Sequence, residues 1–289
     1  MPGIDPKRMV RLGALAGLAA LLCGAATPAR ALTDTLIEAP LARAHNGQPV
    51  VIRAVLTRPA PPNQPTTALL YFRGGHGLSK IESIADRRRN LSLFIGPHFP
   101  AYFAAGIATV AMDCPTDQWG PTNDGNRATS CLDDYRSSTQ HADDVRAILA
   151  RLRDEFGFRR LFIMGHSKGS LSSRWLAIHL GSEIDGSIHS ASMSRPDPWG
   201  NGKSIARMTM DSVAAPLLYL HHRYDACETT SYAAAREASG GRIVTVYGGT
   251  PSGSPCAEHY HGYKGREELV AKTLIGWIAR GEAPATIGE

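Results

Sequence analysis

From residue 99 to residue 280, short unbroken apolar runs alternate with stretches of helical periodicity. A strand buried on both faces shows no polar alternation, whereas a helix lying on a sheet shows one apolar stripe. The rhythm therefore predicts an α/β chain with a mostly parallel central sheet and helices on both faces. Residues 107–112, 161–164, 186–191, 217–221 and 243–247 are the strand candidates, and 99–105, 170–180 and 231–238 read as helices. The clearest helix carries Ala142, Val145, Ile148, Leu149, Leu152 and Phe156 on one stripe, with Asp143 and Asp144 expected in its first turn and Gly157 as its stop. Over 170–180, Leu171, Trp175 and Ile178 are expected on one side. A final helix has Glu267 and Glu268 at its start, Val270, Leu274, Trp277 and Ile278 as its stripe, and Arg280 near its end. Ahead of this pattern, β-rich runs at 50–56 and 67–72 flank a turn holding Pro59, Pro61, Pro62 and Pro65, which predicts a hairpin.

The chain has 289 residues, 43% apolar and 20% charged, which excludes a disordered or fibrous protein and provides for a sizeable core. No internal repeat or long linker divides it. Residues 32–289 are expected to form one domain, and the stretch between 191 and 217 is too short for a large inserted cap.

Residues 1–31 read as a cleaved secretory signal. Lys7, Arg8 and Arg11 precede an apolar run over 12–26, and Ala29-Arg30-Ala31 supplies the small-x-small cleavage pattern, making Leu32 the mature start. The run is shorter than the ~20 residues of a spanning helix. Leu22 stands before Cys23, where a lipoprotein signal needs a small residue, so no membrane anchor is expected. Removing this segment takes +3 of the formal net charge of +5, through Lys7, Arg8, Arg11 and Arg30 against Asp5. The remaining clusters, Arg87-Arg88-Arg89 and Arg159-Arg160, read as solvated faces rather than a nucleic-acid surface. Cys114, Cys131, Cys227 and Cys256 remain, an even number in a chain bound for an oxidising compartment, periplasmic or extracellular. Three pairings are open. Cys114 with Cys131 and Cys227 with Cys256 is preferred because each closes a short local excursion. Asn90-Leu91-Ser92 matches a glycosylation sequon by pattern alone.

Gly165-His166-Ser167-Lys168-Gly169 follows the strand candidate at 161–164 and opens the helix at 170–180. The pentapeptide alone is weak evidence; its position between strand and helix is strong, because a sharp turn there raises a serine hydroxyl above the sheet edge. On these residues the mature chain resembles the α/β-hydrolase superfamily along essentially its whole length. The resemblance implies a serine, acid, histidine order, matched by Ser167, by Asp225 beyond the strand at 217–221, and by His261 between the last strand and the final helix. Ser167 is then the nucleophile, His261 its base, and Asp225 the carboxylate that fixes the imidazole tautomer. The backbone N–H of Lys168 is one oxyanion donor, and the second comes from Gly75 or His76 in Arg73-Gly74-Gly75-His76-Gly77, which departs from the H-G-G-G form of many esterases. A Cys227–Cys256 bridge would fasten the acid and histidine loops together.

The function expected is an exported serine hydrolase cleaving an ester or related acyl bond through an acyl-Ser167 intermediate. Its partners are small-molecule or polymeric esters, and no metal or organic cofactor is expected. Trp119, Pro196, Pro198 and Trp199 are candidate pocket walls, as His166 and Lys168 are beside the nucleophile. His259 competes with His261 for the base. His221 and His222 read as packed or hydrogen-bonded rings. A zinc site among these histidines and Asp225 lacks supporting spacing. A noncatalytic binder on the same fold is the alternative reading, and a metal-dependent hydrolase a weaker one.

Overall fold

Asn46 and Gly47 turn the chain back on itself at one edge of the sheet. The strands they join, β1 (Leu32–His45) and β2 (Gln48–Pro59), pair antiparallel with His45 opposite Gln48, leaving a two-residue loop. Both loop residues have positive φ, +49° and +74°, the conformation for which an Asn-Gly pair is suited in tight hairpins. The structure, a computed structural model, describes residues 32–62, 64–75, 77–86, 95–120, 131–195, 212–257 and 259–289. Residues 1–31, which read as a secretory signal, His76, the run Arg87-Arg88-Arg89, Asn90, Pro196, Pro198 and Trp199 lie outside the described residues.

This hairpin corrects the one expected between the runs at 50–56 and 67–72. The second run is β3 (Thr67–Phe72), which pairs parallel with β4 (Ile107–Met112) and β5 (Arg160–His166), while β2 pairs antiparallel with β4. All six residues of β3 are buried, so it needs neighbours on both sides, and β4 takes the place beside it that a hairpin would give to β2. The sheet continues through β6 (Gly186–Ser190), β7 (Leu217–His222), β8 (Ile243–Val246) and β9 (Thr286–Ile287), in the order β1-β2-β4-β3-β5-β6-β7-β8-β9. From β4 onward every pairing is parallel.

Successive strand residues point to opposite faces, and β3 divides accordingly. Ala68, Leu70 and Phe72 join a core with α3 (Thr139–Asp154), α4 (Gly169–Leu180) and α5 (Tyr232–Ala238). Leu69 and Tyr71 join another with α1 (Phe99–Ala104) and α6 (Glu267–Arg280). Helices therefore cover both faces, as the alternation requires. On α6 the stripe of Val270, Leu274, Trp277 and Ile278 is buried, at about 1.5–3 kcal/mol for each large side chain.

Two helix details differ from expectation. Helix α3 starts a turn early at Thr139, where the Ser138 hydroxyl accepts from the His141 N–H at 3.1 Å, so Asp143 and Asp144 lie beyond its first turn. In α4, Ile178 is exposed and Trp175 half-buried, while Ser170, Ser172, Ser173, Leu176, Ala177 and Leu180 face inward. Its buried serines are satisfied by partners remote in sequence: Ser173 Oγ pairs with His189 Nδ1 at 2.8 Å, and Ser170 Oγ accepts from the Met193 N–H at 3.0 Å. A buried face shared between serines and apolar residues blurs the apolar period.

Both preferred disulfides are present, Cys114–Cys131 and Cys227–Cys256, with Cα atoms 6.0 and 4.6 Å apart. Trp119 packs against the cluster of Leu78, Tyr135 and the two bridged cysteines and donates its indole N–H to Cys114 O at 2.9 Å. A short helix, α2 (Asp133–Arg136), leads from this loop into α3.

Candidate active site

Strand β5 ends in a turn at Ser167, held at φ +54°, a left-handed conformation that side-chain-bearing residues seldom adopt. The turn closes with Ser167 N–H donating to Ser190 O at 3.0 Å and Ser170 N–H to Ser167 O at 2.9 Å. Its flanking glycines answer to close approach. A Cβ on Gly165 would stand 2.1 Å from Gly169 O, and one on Gly169 would stand 2.0 Å from Phe72 O. No side chain fits at either place, so strand, turn and helix can meet only with glycine there.

Beyond β7, Asp225 begins a tight loop with its N–H donating to His222 O at 3.2 Å. Its carboxylate is fully buried. Oδ2 lies 2.9 Å from His261 Nδ1, 3.1 Å from His221 Nε2, and accepts from Thr230 Oγ1 at 2.8 Å, while Oδ1 accepts the Cys227 N–H at 3.0 Å. Burial alone would raise its pKa, but hydrogen bonds from His221 and His261 outweigh it and hold the carboxyl well below the usual range. The ionised form is thus the one this loop is built around. The Cys227–Cys256 bridge ties the loop to the segment that leads into His261.

His261 sits on a single 3-10 turn, Tyr260–Gly262, with its ring buried. Its Nε2 is buried without a hydrogen-bond partner, Ser167 included. Catalytic contacts of this kind are often long in unliganded sites and tighten around substrate. The ring lies 4.9 Å from that of His166, the residue before Ser167. Burial, and then the neighbouring His261, push the His166 pKa well below the imidazole range, which favours its neutral form. Behind it Ser190 Oγ pairs with His166 Nδ1 at 3.0 Å and with Tyr263 OH at 2.8 Å, and Tyr263 donates to Leu220 O at 2.9 Å.

The competing histidines differ in what they touch. His261 meets Asp225, whereas His259 packs edge-on against Tyr260. His222 faces away to Gly248 O, 2.8 Å from Nε2, and its ring stacks on Tyr260. Among the described residues no group of three or more His, Cys, Asp or Glu side chains is arranged to hold a metal ion.

Lys168 stands at the start of α4, where backbone N–H groups point outward, and its buried side chain lies 3.4 Å from Asp133 Oδ1. Gly75 is exposed in a turn closed by Gly77 N–H to Gly74 O at 3.1 Å. Sequence reasoning missed what pins that turn. Arg136, fully buried, donates to Gly77 O at 3.2 Å, Cys131 O at 3.0 Å and Ser172 Oγ at 2.6 Å, and burial pushes its pKa down to about 10. His221 is hydrogen-bonded, as expected of a packed ring, but its partner Asp225 and the bond from Thr230 to the same carboxylate were missed, because nothing local marks a residue that bonds to Asp225.

No protein-family model matches the sequence, and a search of curated proteins finds no match. Solved structures do resemble it. Est1E from Butyrivibrio proteoclasticus superposes with a TM-score of 0.51 at 16% identity, over 84% of this chain and 97% of that one. A hyperthermophilic esterase from the archaeon Pyrobaculum calidifontis gives 0.54 at 16%, over 86% and 85%. A cold-adapted esterase from an Arctic intertidal metagenomic library gives 0.50 at 16%, over 83% and 94%. Together with the strand order and the turn at Ser167, these likenesses identify the α/β-hydrolase fold in this chain.

Proposed function

We propose that the chain is an exported serine esterase, with Ser167 as nucleophile, His261 as base and Asp225 as the carboxylate that orients it. The observation that carries this reading is the 2.9 Å contact between His261 Nδ1 and Asp225 Oδ2, with a serine held at φ +54° directly after His166, whose ring lies 4.9 Å from that of His261. Ser167 Oγ attacks the acyl carbonyl as His261 Nε2 takes its proton. The oxyanion that forms is stabilised by N–H groups of Lys168 and of Gly75 or His76. Collapse expels the alcohol, which takes the proton from His261 and leaves acyl-Ser167. Water repeats the sequence to release the acid. Asp225 stays ionised throughout and stabilises the imidazolium.

The export half of the reading is supported by the basic and apolar segment at 1–31 and by two disulfides. Among the described residues no helix is long and apolar enough to cross a membrane. Substrates are esters of small or polymeric alcohols; the similarity of fold to esterases favours these over amides.

The test is fluorophosphonate labelling of the purified protein beside Ser167→Ala, with chromogenic esters of increasing acyl length, lactones and peptide amides as substrates. Labelling at Ser167 and loss of ester hydrolysis in the variant are expected. An intact protein without labelling makes it a binder, and chelator-sensitive activity surviving in Ser167→Ala makes it a metal enzyme.

A further inference from the structure

The two oxygens of Asp225 are unequally occupied. Oδ1 accepts the Cys227 N–H, whereas three groups crowd Oδ2: His261 Nδ1, Thr230 Oγ1 and His221 Nε2. His221 Nε2 also lies 3.2 Å from Thr230 O. Both neighbours of that nitrogen are acceptors, so Nε2 carries a hydrogen. Nδ1 of the same ring is buried without a hydrogen-bond partner. His221 is only 1% exposed, at the end of β7, and its ring stands edge-on to Tyr232 at 6.1 Å. It is a second imidazole turned onto the carboxylate that orients the first.

We propose that His221 is a positioning residue for ester hydrolysis: its Nε2–H shares Asp225 Oδ2 with His261 and so limits how firmly the carboxylate holds the His261 ring in its charged form. The inference rests on the reading of Ser167, His261 and Asp225 as a catalytic triad. Each N–H that a carboxylate accepts draws negative charge away from its other partners. His261 has to receive a proton from Ser167 and surrender it to the leaving alcohol. A carboxylate spent wholly on His261 favours the first transfer and hinders the second. His221 makes no contact with reacting atoms and acts only through Asp225.

Among the described residues, the ionisable groups around this pair are few. His221 and His222 come from β7, His166 from the nucleophile turn, Tyr263 from beyond the histidine turn, and Tyr232 from α5. Of these, His221 is the one within hydrogen-bond distance of the carboxylate besides His261 itself.

The experiment compares the pH dependence of kcat/KM for p-nitrophenyl acetate in the wild type, His221→Phe and His221→Gln. Phenylalanine keeps the ring and removes the N–H; glutamine keeps an N–H at the same reach. Without the donor, the protonated His261 ring is favoured, so the acid-side loss of activity moves to higher pH by ~0.5–1 unit. Glutamine restores the wild-type midpoint. Reduced activity with an unmoved midpoint in the phenylalanine variant assigns His221 to packing alone and overturns the proposal.

Should His221→Phe fail to fold by circular dichroism, nitrogen-15 spectra of the histidine-labelled wild type decide. A hydrogen on His221 Nε2, with a resonance that responds as His261 titrates, upholds the proposal; a bare Nε2 overturns it. Fluorophosphonate labelling of the wild type separates the two claims. Absence of label on Ser167 removes the triad and this inference with it, whereas labelling with an unmoved midpoint removes only the role of His221.

Discussion

The Cys227 N–H donates to Asp225 Oδ1 at 3.0 Å, so a residue that closes a disulfide also holds the carboxylate facing His261. The bridge ties the acid loop to the segment leading into the histidine turn. Replacing both cysteines, Cys227→Ser with Cys256→Ser, is expected to cost about 3 kcal/mol of stability by urea unfolding. Under conditions where the variant is still folded, kcat should fall at least tenfold with KM little changed. A variant equally destabilised but fully active would dissociate the bridge from catalysis.

Asp225→Asn tests the carboxylate itself. An amide presents the His261 ring with the wrong tautomer and no charge to balance the imidazolium, so kcat is expected to drop on the order of 10⁴-fold. The fold should persist, because the volume is unchanged and Oδ1 still accepts from Cys227. Steady-state kinetics together with a thermal melt provide the check; retention of a tenth or more of the activity contradicts the assignment.

Gly74 lies against the nucleophile. A Cβ there would stand 2.8 Å from Ser167 Cβ and 3.0 Å from His166 O, both anchored by the turn. In Gly74→Ala the serine has to shift, and a displacement of this kind is expected to lower kcat/KM ~100-fold. Fluorophosphonate labelling rates report the displacement directly, and an unchanged rate would show that the turn yields at no cost.

His141 and His189 are buried and His166 is partly buried, and desolvation is the first cause pushing each pKa well below the imidazole range. In the unfolded chain each takes up a proton near pH 6.5, whereas in the folded chain it stays neutral. Unfolding therefore binds protons in acid, and the stability present above pH ~6.5 is lost as pH falls below it. The expected slope is on the order of 1 kcal/mol per pH unit for each ring. Urea midpoints at pH 7.5 and 5.5 measure it, and His189→Gln should reduce the difference. A flat profile would mean the rings are protonated while folded.

At the sheet edge, Gly47→Ala should cost about 1 kcal/mol, since φ +74° is strained for alanine, and leave esterase activity unchanged. Urea unfolding alongside turnover of a chromogenic ester makes the comparison; a loss of activity would connect the edge hairpin to the site.

Some of this organisation can be read residue by residue. The parallel core strands are short apolar runs, helix α6 is an unbroken stripe, and the turn at Ser167 is announced by two glycines between a strand and a helix. The Asn46-Gly47 turn was equally readable, yet the proline-rich stretch further on drew the hairpin to the wrong pair of strands. Helix α4 misled in another way. Its buried face is partly serine, and serine becomes a core residue only when His189, Arg136 and the Met193 N–H arrive to bond with it.

The amino-acid order alone determined the alternation of strands and helices and the bend that lifts Ser167, and it favoured the two local disulfides among three pairings, because periodicity, turn chemistry and short loop closures act between near neighbours. Tertiary structure decided which histidine meets Asp225, 36 residues distant, and that a second one, His221, shares it. It also decided that β4 separates β2 from β3. Hydrogen bonds of that range are set by the order in which strands assemble, and a single strand's side-chain pattern carries no record of its neighbour.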